Sequence, residues 1–407
     1  MLRERVRADS VVPLMITRPT VPRHAWVSAP PTGGWRRILA DGVGGVAELL
    51  ARLELTPAEV GWGSDSQAAA RQFPFKVPKG FVARMKPGDP RDPLLLQVLP
   101  AAAETAEVPG FVADPLAERS ISPAAGLLHK YHGRVLVVAT GACAVHCRYC
   151  FRRHFPYGEH ALTREARERV VAAVAADRSI TEVILSGGDP LTLTDDKLGV
   201  LAEELAEIPH VTRLRVHSRL PVVLPERVDD ALVEWLAGTR LAPVMVLHAN
   251  HPAEIDENVR AAAARLRAAG VHLLNQAVLL AGVNDAAETL VELSLRLFEA
   301  GVLPYYLHLL DPVAGAAHFD VPEARARHLL RRQLQRRQVT SEPLVFVPRH
   351  RVKHPSVTDL DLDEPVLILD AHQRAEVSRV HQRERGSRCG DPDREAADDR
   401  EGEALPG

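Results

Sequence analysis

Val135-Leu136-Val137-Val138-Ala139-Thr140, followed at once by Gly141-Ala142-Cys143-Ala144-Val145-His146-Cys147-Arg148-Tyr149-Cys150-Phe151-Arg152-Arg153-His154, is the stretch on which the fold turns. An unbroken apolar and β-branched run reads as a strand buried on both faces, as in a parallel sheet. Gly141 ends it, and three thiols then fall within eight residues of loop. Parallel βα folds build their active sites from the loops at the C-terminal ends of their strands. The stretch therefore sets two expectations, a parallel sheet and a functional site at this end of it.

Downstream the rhythm repeats. Strand-like runs at Glu182–Ser186, Arg213–Ser218, Pro243–Ala249, Val271–Leu280 and Pro304–Leu310 alternate with amphipathic stretches at Glu165–Ala176, Asp195–Glu207, Arg227–Leu236, Glu254–Ala269 and Ala286–Ala300. The strand starts recur at roughly 30 residues, the length of a βαβ unit. With Val135–Thr140 they make six strands, which predicts an α/β fold with a parallel sheet, open or curled into a partial barrel. Residues 1–34 are rich in Pro and Arg without periodicity and read as a loose leader. Residues 35–125, with apolar spacings such as Val43, Val46, Leu49, Leu50 and Leu53, predict a mainly helical N-terminal cap on a barrel of residues 126–334. Residues 335–407 break the pattern. From about His372 the chain is charged and aromatic-free, which predicts a disordered tail.

The 407 residues, 46% apolar and 25% charged, suffice for one large barrel in a globular protein. A formal charge of −3 offers no bulk attraction to nucleic acid or anionic lipid. No apolar run approaches a membrane span, and Pro13, Pro19 and Pro22 interrupt the N-terminus where a secretory signal needs an apolar core. The expected setting is the cytoplasm, and the expected partner a small molecule. Of the 4 cysteines, only Cys389 lies outside the run, in the charged tail. Clustered thiols in a reducing compartment are more often metal ligands than disulfide partners. Two chemistries compete for them. A [4Fe–4S] cluster on Cys143, Cys147 and Cys150 would keep one iron open to a ligand. A structural zinc completed by His146 or His154 would make a zinc-stabilised binding protein. Thiols holding no metal are a third reading, poorly matched to this density.

The next strand ends in Ser186-Gly187-Gly188-Asp189-Pro190. Glycines there allow positive φ and close approach of a ligand to the backbone. Asp189 is placed to accept hydrogen bonds from an ammonium group, although an ordinary βα turn explains the same residues. The cysteine run and the glycine turn together resemble the radical S-adenosylmethionine (SAM) enzymes. That resemblance implies a partial (β/α)6 TIM-like barrel, a [4Fe–4S] cluster on Cys143, Cys147 and Cys150, and SAM held by Ser186, Gly187, Gly188 and Asp189.

Further stretches narrow it. Gly126–Arg134, Phe151–Tyr157, His217–Pro221, Leu274–Gln276, Gly282–Asp285 and Pro304–His308 leading to Asp311 are similar to lysine 2,3-aminomutases, over a span from about Phe75 to Leu334. The N-terminal part is most similar to the branch that makes β-lysine for elongation factor P. The resemblance implies an isomerase that converts L-lysine to β-lysine with SAM-derived radical chemistry and pyridoxal phosphate (PLP). It also implies an electron donor such as a flavodoxin or ferredoxin, and a functional link to the ligase that modifies elongation factor P. A catabolic or osmolyte-forming aminomutase is the alternative, but those tend to carry further cysteines near the C-terminus.

The same family pattern assigns the substrate's ends. Arg152 matches the arginine that pairs with the carboxylate, for which a planar guanidinium is suited. Asp285 and Asp311 match a pair for the ε-ammonium, though an N-cap and a turn residue are equally ordinary readings of them. Lys130, Tyr131 and Arg134 are candidates for the PLP phosphate. PLP also requires a lysine amine. The family segment that carries it is unrecognisable across Gln335–Val352, and Lys353, the only lysine after the barrel, is the nominee.

Overall fold

Four barrel helices start where a Thr or Asp precedes the apolar-periodic stretch. Thr163 accepts the Ala166 N–H, Thr194 that of Lys197, Asp229 that of Leu232 and Asp256 that of Val259. Such a cap contributes about 1 kcal/mol and fixes where a helix begins. The helices are Arg164–Ala176, Asp195–Ala206, Asp230–Ala237 and Glu257–Ala268, and Ala287–Glu299 and Glu323–Arg336 follow. The computed structural model describes residues 34–118, 126–157, 162–336, 345–347 and 366–367. The leader, the charged tail and Lys353 lie outside the described residues.

The strands are β1 (Leu127–Tyr131), β2 (Arg134–Thr140), β3 (Glu182–Gly187), β4 (Arg213–Ser218), β5 (Ala242–His248), β6 (His272–Leu279), β7 (Leu303–Leu309), β8 (Val345–Val347) and β9 (Val366–Leu367). They form one sheet in sequence order. β2 to β8 run parallel, while β1 and β9 pair antiparallel at the two edges. The six expected strands are β2–β7, each within a residue or so of its predicted limits. With helices between consecutive strands this is a partial TIM-like barrel. β1 was not among the six. It folds back on β2 through His132-Gly133, where Gly133 takes φ +78°.

Alternation along the strands separates two faces. Leu214 and Val216 of β4 share the apolar core with Val183, Leu185, Met245 and Leu247, under the helices. Arg215 and His217 lie on the other, concave face with Glu182, His248, Tyr306 and His308. Arg215 donates to Glu182 there at 2.8 Å. A TIM-type interior is normally filled by branched apolar residues. Here charged and ring side chains stand among branched apolar ones such as Ile184, Val244 and Val246.

The N-terminal region was expected as a mainly helical cap on the barrel. It contains the helices Trp35–Ala40, Val46–Arg52 and Ser64–Gln72, but its apolar residues, Trp35 and Phe81 among them, belong to the same continuous core as the barrel. Among the described residues no helix is long and apolar enough to cross a membrane.

Candidate active site

The loop from Gly141 to His154 leaves β2 at its C-terminal end, held from below by the N-terminal region. Glu104, fully buried, accepts from Arg148 Nε at 2.8 Å and Nη2 at 2.5 Å, and from Arg153 Nη2 at 2.7 Å. Arg148 also donates to the carbonyls of Phe73 and Ala69, and its own N–H bonds Gln97 O. Two loop arginines on one buried carboxylate clamp the backbone that carries the thiols. Removing a partner from such a pair typically costs about 3–5 kcal/mol.

Cys143, Cys147 and Cys150 are half-buried on this loop, and none is in a disulfide. Burial raises the Cys143 and Cys150 thiols, Cys150 to about 11, and the neighbouring thiolates add to the shift. Thiols so raised ionise when a metal centre supplies the compensating charge. A zinc ion needs four donors within about 2.0–2.3 Å of one point. Among the described residues no group of three or more His, Cys, Asp or Glu is gathered in that way. The two candidate fourth ligands face backbone instead, His146 Nδ1 toward Pro74 O at 2.8 Å and His154 Nε2 toward Ala314 O at 3.1 Å. An iron–sulfur cube takes each thiolate on its own iron. Three thiols on one loop can each take one iron of such a cube and leave its fourth iron open to a ligand.

The glycine turn lies directly against this loop. Gly188 N–H bonds Thr140 O at 2.7 Å and Asp189 N–H bonds Ala142 O at 2.8 Å. A Cβ on Gly188 would sit 2.5 Å from Ala142 O, and one on Gly187, at φ +119°, 2.6 Å from Thr140 O. Only glycine permits that approach. The two motifs, 36 residues apart from Cys150 to Ser186, thus form one surface.

The carboxylate of Asp189 is buried and accepts four hydrogen bonds, from Leu191 N and Ser218 Oγ on Oδ1 and from Arg219 N and Leu220 N on Oδ2. It ties the glycine turn to the end of β4. Burial raises its pKa against those bonds. Arg152 is engaged as well. Its Nε and Nη2 hold both oxygens of Glu118 at 2.7 and 2.8 Å, and Nη1 donates to Ser186 Oγ at 3.1 Å and Gly187 O at 3.4 Å. A substrate carboxylate can meet it only on the edge turned away from Glu118.

Asp285 accepts from Gly282 N and pairs with Arg325, an exposed residue, at 2.7 Å. Asp311 is half-buried just beyond β7. Arg134 is half-buried at the N-terminal end of β2, and its charge reaches Tyr306. Lys130 and Tyr131 are placed by their backbone in β1, and their side chains lie outside the described set.

Several residues of the site were given no role from the sequence. Arg219 donates through Nη1 to Cys147 Sγ at 2.6 Å, and through Nη2 to Gln97 Oε1 and Glu254 Oε2. Across the concave face, His217 and His248 rings meet edge to face at 5.8 Å. Neither Nε2 has a partner among the described residues. Burial drives both below the ordinary histidine range, His248 to about 3, so both are neutral near pH 7. A buried unpaired ring nitrogen costs about 1–3 kcal/mol unless a ligand satisfies it. That is a second observation of fit between this interior and bound cofactor.

A family profile described as "Radical SAM superfamily" matches residues 137–294, from β2 into the helix Ala287–Glu299. The cysteine loop, the glycine turn and this match together define a radical SAM protein. The relatives are more specific. The L-lysine 2,3-aminomutase of Escherichia coli (strain K12) is 47% identical over 337 residues, covering 83% of this chain and 97% of that protein. That of Haemophilus influenzae is 46% identical over 295 residues, 72% of this chain and 86% of that one. That of Clostridium subterminale is 34% identical over 298 residues, 73% and 70%. The chain belongs to the L-lysine 2,3-aminomutase family. The similarity runs further than the expected span from Phe75 to Leu334. Among solved structures, Streptococcus suis SuiB bound to S-adenosylmethionine is similar with a TM-score of 0.40 at 16% identity, over 56% of this chain and 55% of that one.

Proposed function

We propose that this chain is a lysine 2,3-aminomutase that turns L-lysine into β-lysine. The observation that carries the reading is the joint surface of cysteine loop and glycine turn at the mouth of a polar barrel. Bound there, a [4Fe–4S] cluster and SAM supply a carbon radical by one-electron chemistry, and PLP supplies the carrier for the migrating nitrogen. The chain's own residues do the rest. Cys143, Cys147 and Cys150 hold the cluster. Ser186, Gly187 and Gly188 offer the backbone surface against which SAM lies. Arg152, steadied by Glu118, orients the substrate carboxylate, and Asp285 and Asp311 hold the ε-ammonium. Arg134, with Lys130 and Tyr131, serves the PLP phosphate and Lys353 its amine link. The barrel walls exclude water from the radical.

The reductant is a flavodoxin or ferredoxin, the setting the cytoplasm, and the product goes to the ligase acting on elongation factor P. The test is anaerobic reconstitution with iron, sulfide, SAM, PLP, reductant and L-lysine, followed by chiral analysis. β-Lysine is expected, and its absence with a loaded cluster refutes the reading. Asp311→Ala should raise the KM for lysine at least about ten-fold, the loss of one charge-assisted hydrogen bond, while iron content stays the same. An unchanged KM removes Asp311 from the ammonium site.

A further inference from the structure

Arg219 stands at the C-terminal end of β4 with its guanidinium divided between two duties. Nη1 points to Cys147 Sγ, and Nη2 is shared by Gln97 Oε1 at 2.7 Å and Glu254 Oε2 at 2.9 Å. The arginine is buried, and the rings of Phe81 and Tyr149 lie 5.4 and 5.6 Å from its carbon centre. Its backbone N–H is fixed by Asp189 Oδ2 at 2.8 Å. Glu254 is fully buried in turn, and its Oε1 accepts from the N–H groups of Asn250 and His251 at 2.8 and 3.0 Å. One cation is thus locked between a sulfur of the cysteine loop and a buried anion.

We propose that Arg219 is a positioning residue that sets the reduction potential of the cluster held by the cysteine loop, with Glu254 as its counterweight. The inference rests on Cys147 being a cluster ligand. One-electron reduction places extra negative charge on the cluster and its sulfurs. A buried cationic donor on one sulfur stabilises the reduced form, because charges act strongly where water is excluded. It therefore raises the potential. Glu254, bonded to the same guanidinium, offsets part of that field and lowers it. The outer partners of a metal ligand tune the centre in this way. The pair gives a prediction of sign that a purely structural role does not: loss of the cation and loss of the anion move the potential in opposite directions.

The test is a mediated redox titration of the anaerobically reconstituted full chain, read by the spin signal of the reduced cluster, without substrate. Arg219→Gln is expected to shift the midpoint to a more negative value and Glu254→Gln to a more positive one, at equal iron and sulfide content. Arg219→Lys, which keeps the charge, should fall between Arg219→Gln and the unaltered chain. Unmoved midpoints, or shifts of the same sign in Arg219→Gln and Glu254→Gln, overturn the proposal. If Arg219→Gln fails to load iron, Glu254→Gln decides alone, and a shift that is absent or negative overturns it. An unaltered chain that binds no iron and sulfide sinks the cysteine reading itself, a different result from a loaded chain whose variants do not move.

Discussion

Glu118 and Arg152 are each about nine-tenths hidden and share a two-pronged bond. A buried carboxylate is tolerated there because a planar fork answers both its oxygens. Glu118→Gln leaves the arginine charged and half-answered in the interior. It should destabilise the metal-free protein by about 3–5 kcal/mol, read as a fall in the urea midpoint, while Glu118→Met with Arg152→Met should recover most of it. A single variant as stable as the parent would remove this pair from the framework. Gly188→Ala tests the neighbouring contact. Its Cβ would press on the Ala142 carbonyl, so the cysteine loop must shift, with iron loading expected to fall and unfolding eased by about 1–3 kcal/mol. Full loading would show the loop to be more compliant than its packing implies. Sequence pointed to Arg152 and Gly188 because both sit inside motifs. It was silent on Glu118, Glu104, Gln97 and Glu254. Each is a single polar residue in an irregular stretch, and its partner lies 34 to 157 positions away. Nothing periodic marks such a residue; only the folded chain brings it to its arginine.

Asp189 works at the scale of elements, joining the turn after β3 to the end of β4 and the short helix Leu220–Val223. Asp189→Asn preserves shape but sets an amide NH2 against backbone donors. About 1–3 kcal/mol of stability should be lost for the unmet groups, along with the anchoring of the Arg219 backbone. Equal stability of Asp189→Asn in urea would mean that the acid is dispensable as a tie. The elements themselves were legible. Strand runs, glycine stops and the Thr and Asp caps are local signals, and β2–β7 and the helices between them follow them closely. β1 was missed because Leu127–Tyr131 is too short and too polar to separate from a loop before its hairpin partner is known. The tie made by Asp189 was not legible for a related reason, since only the packing of β4 beside β3 brings Ser218, Arg219 and Leu220 to its oxygens.

For the whole molecule, the buried histidines decide how stability responds to acid. His146, His217, His248, His251 and His318 are all pushed below their ordinary value, burial being the largest cause in each. The native chain therefore keeps them neutral where the unfolded chain, with histidines near 6.5, takes up protons. Stability is whole above about pH 6.5 and is lost as pH falls below it, and for His248 the loss continues down to about 3. Each such group adds a slope of up to about 1.4 kcal/mol per pH unit in that window. Asp189, raised by burial, acts in the opposite sense, but it is one group against five. The urea midpoint of the metal-free protein should accordingly drop between pH 7 and pH 5. His248→Gln keeps a polar side chain of similar reach without a titrating ring, so its profile should be shallower than the parent's over the same range. A midpoint that holds level or rises from pH 7 to pH 5 would mean that these rings are open to water, and the concave face of the barrel with them.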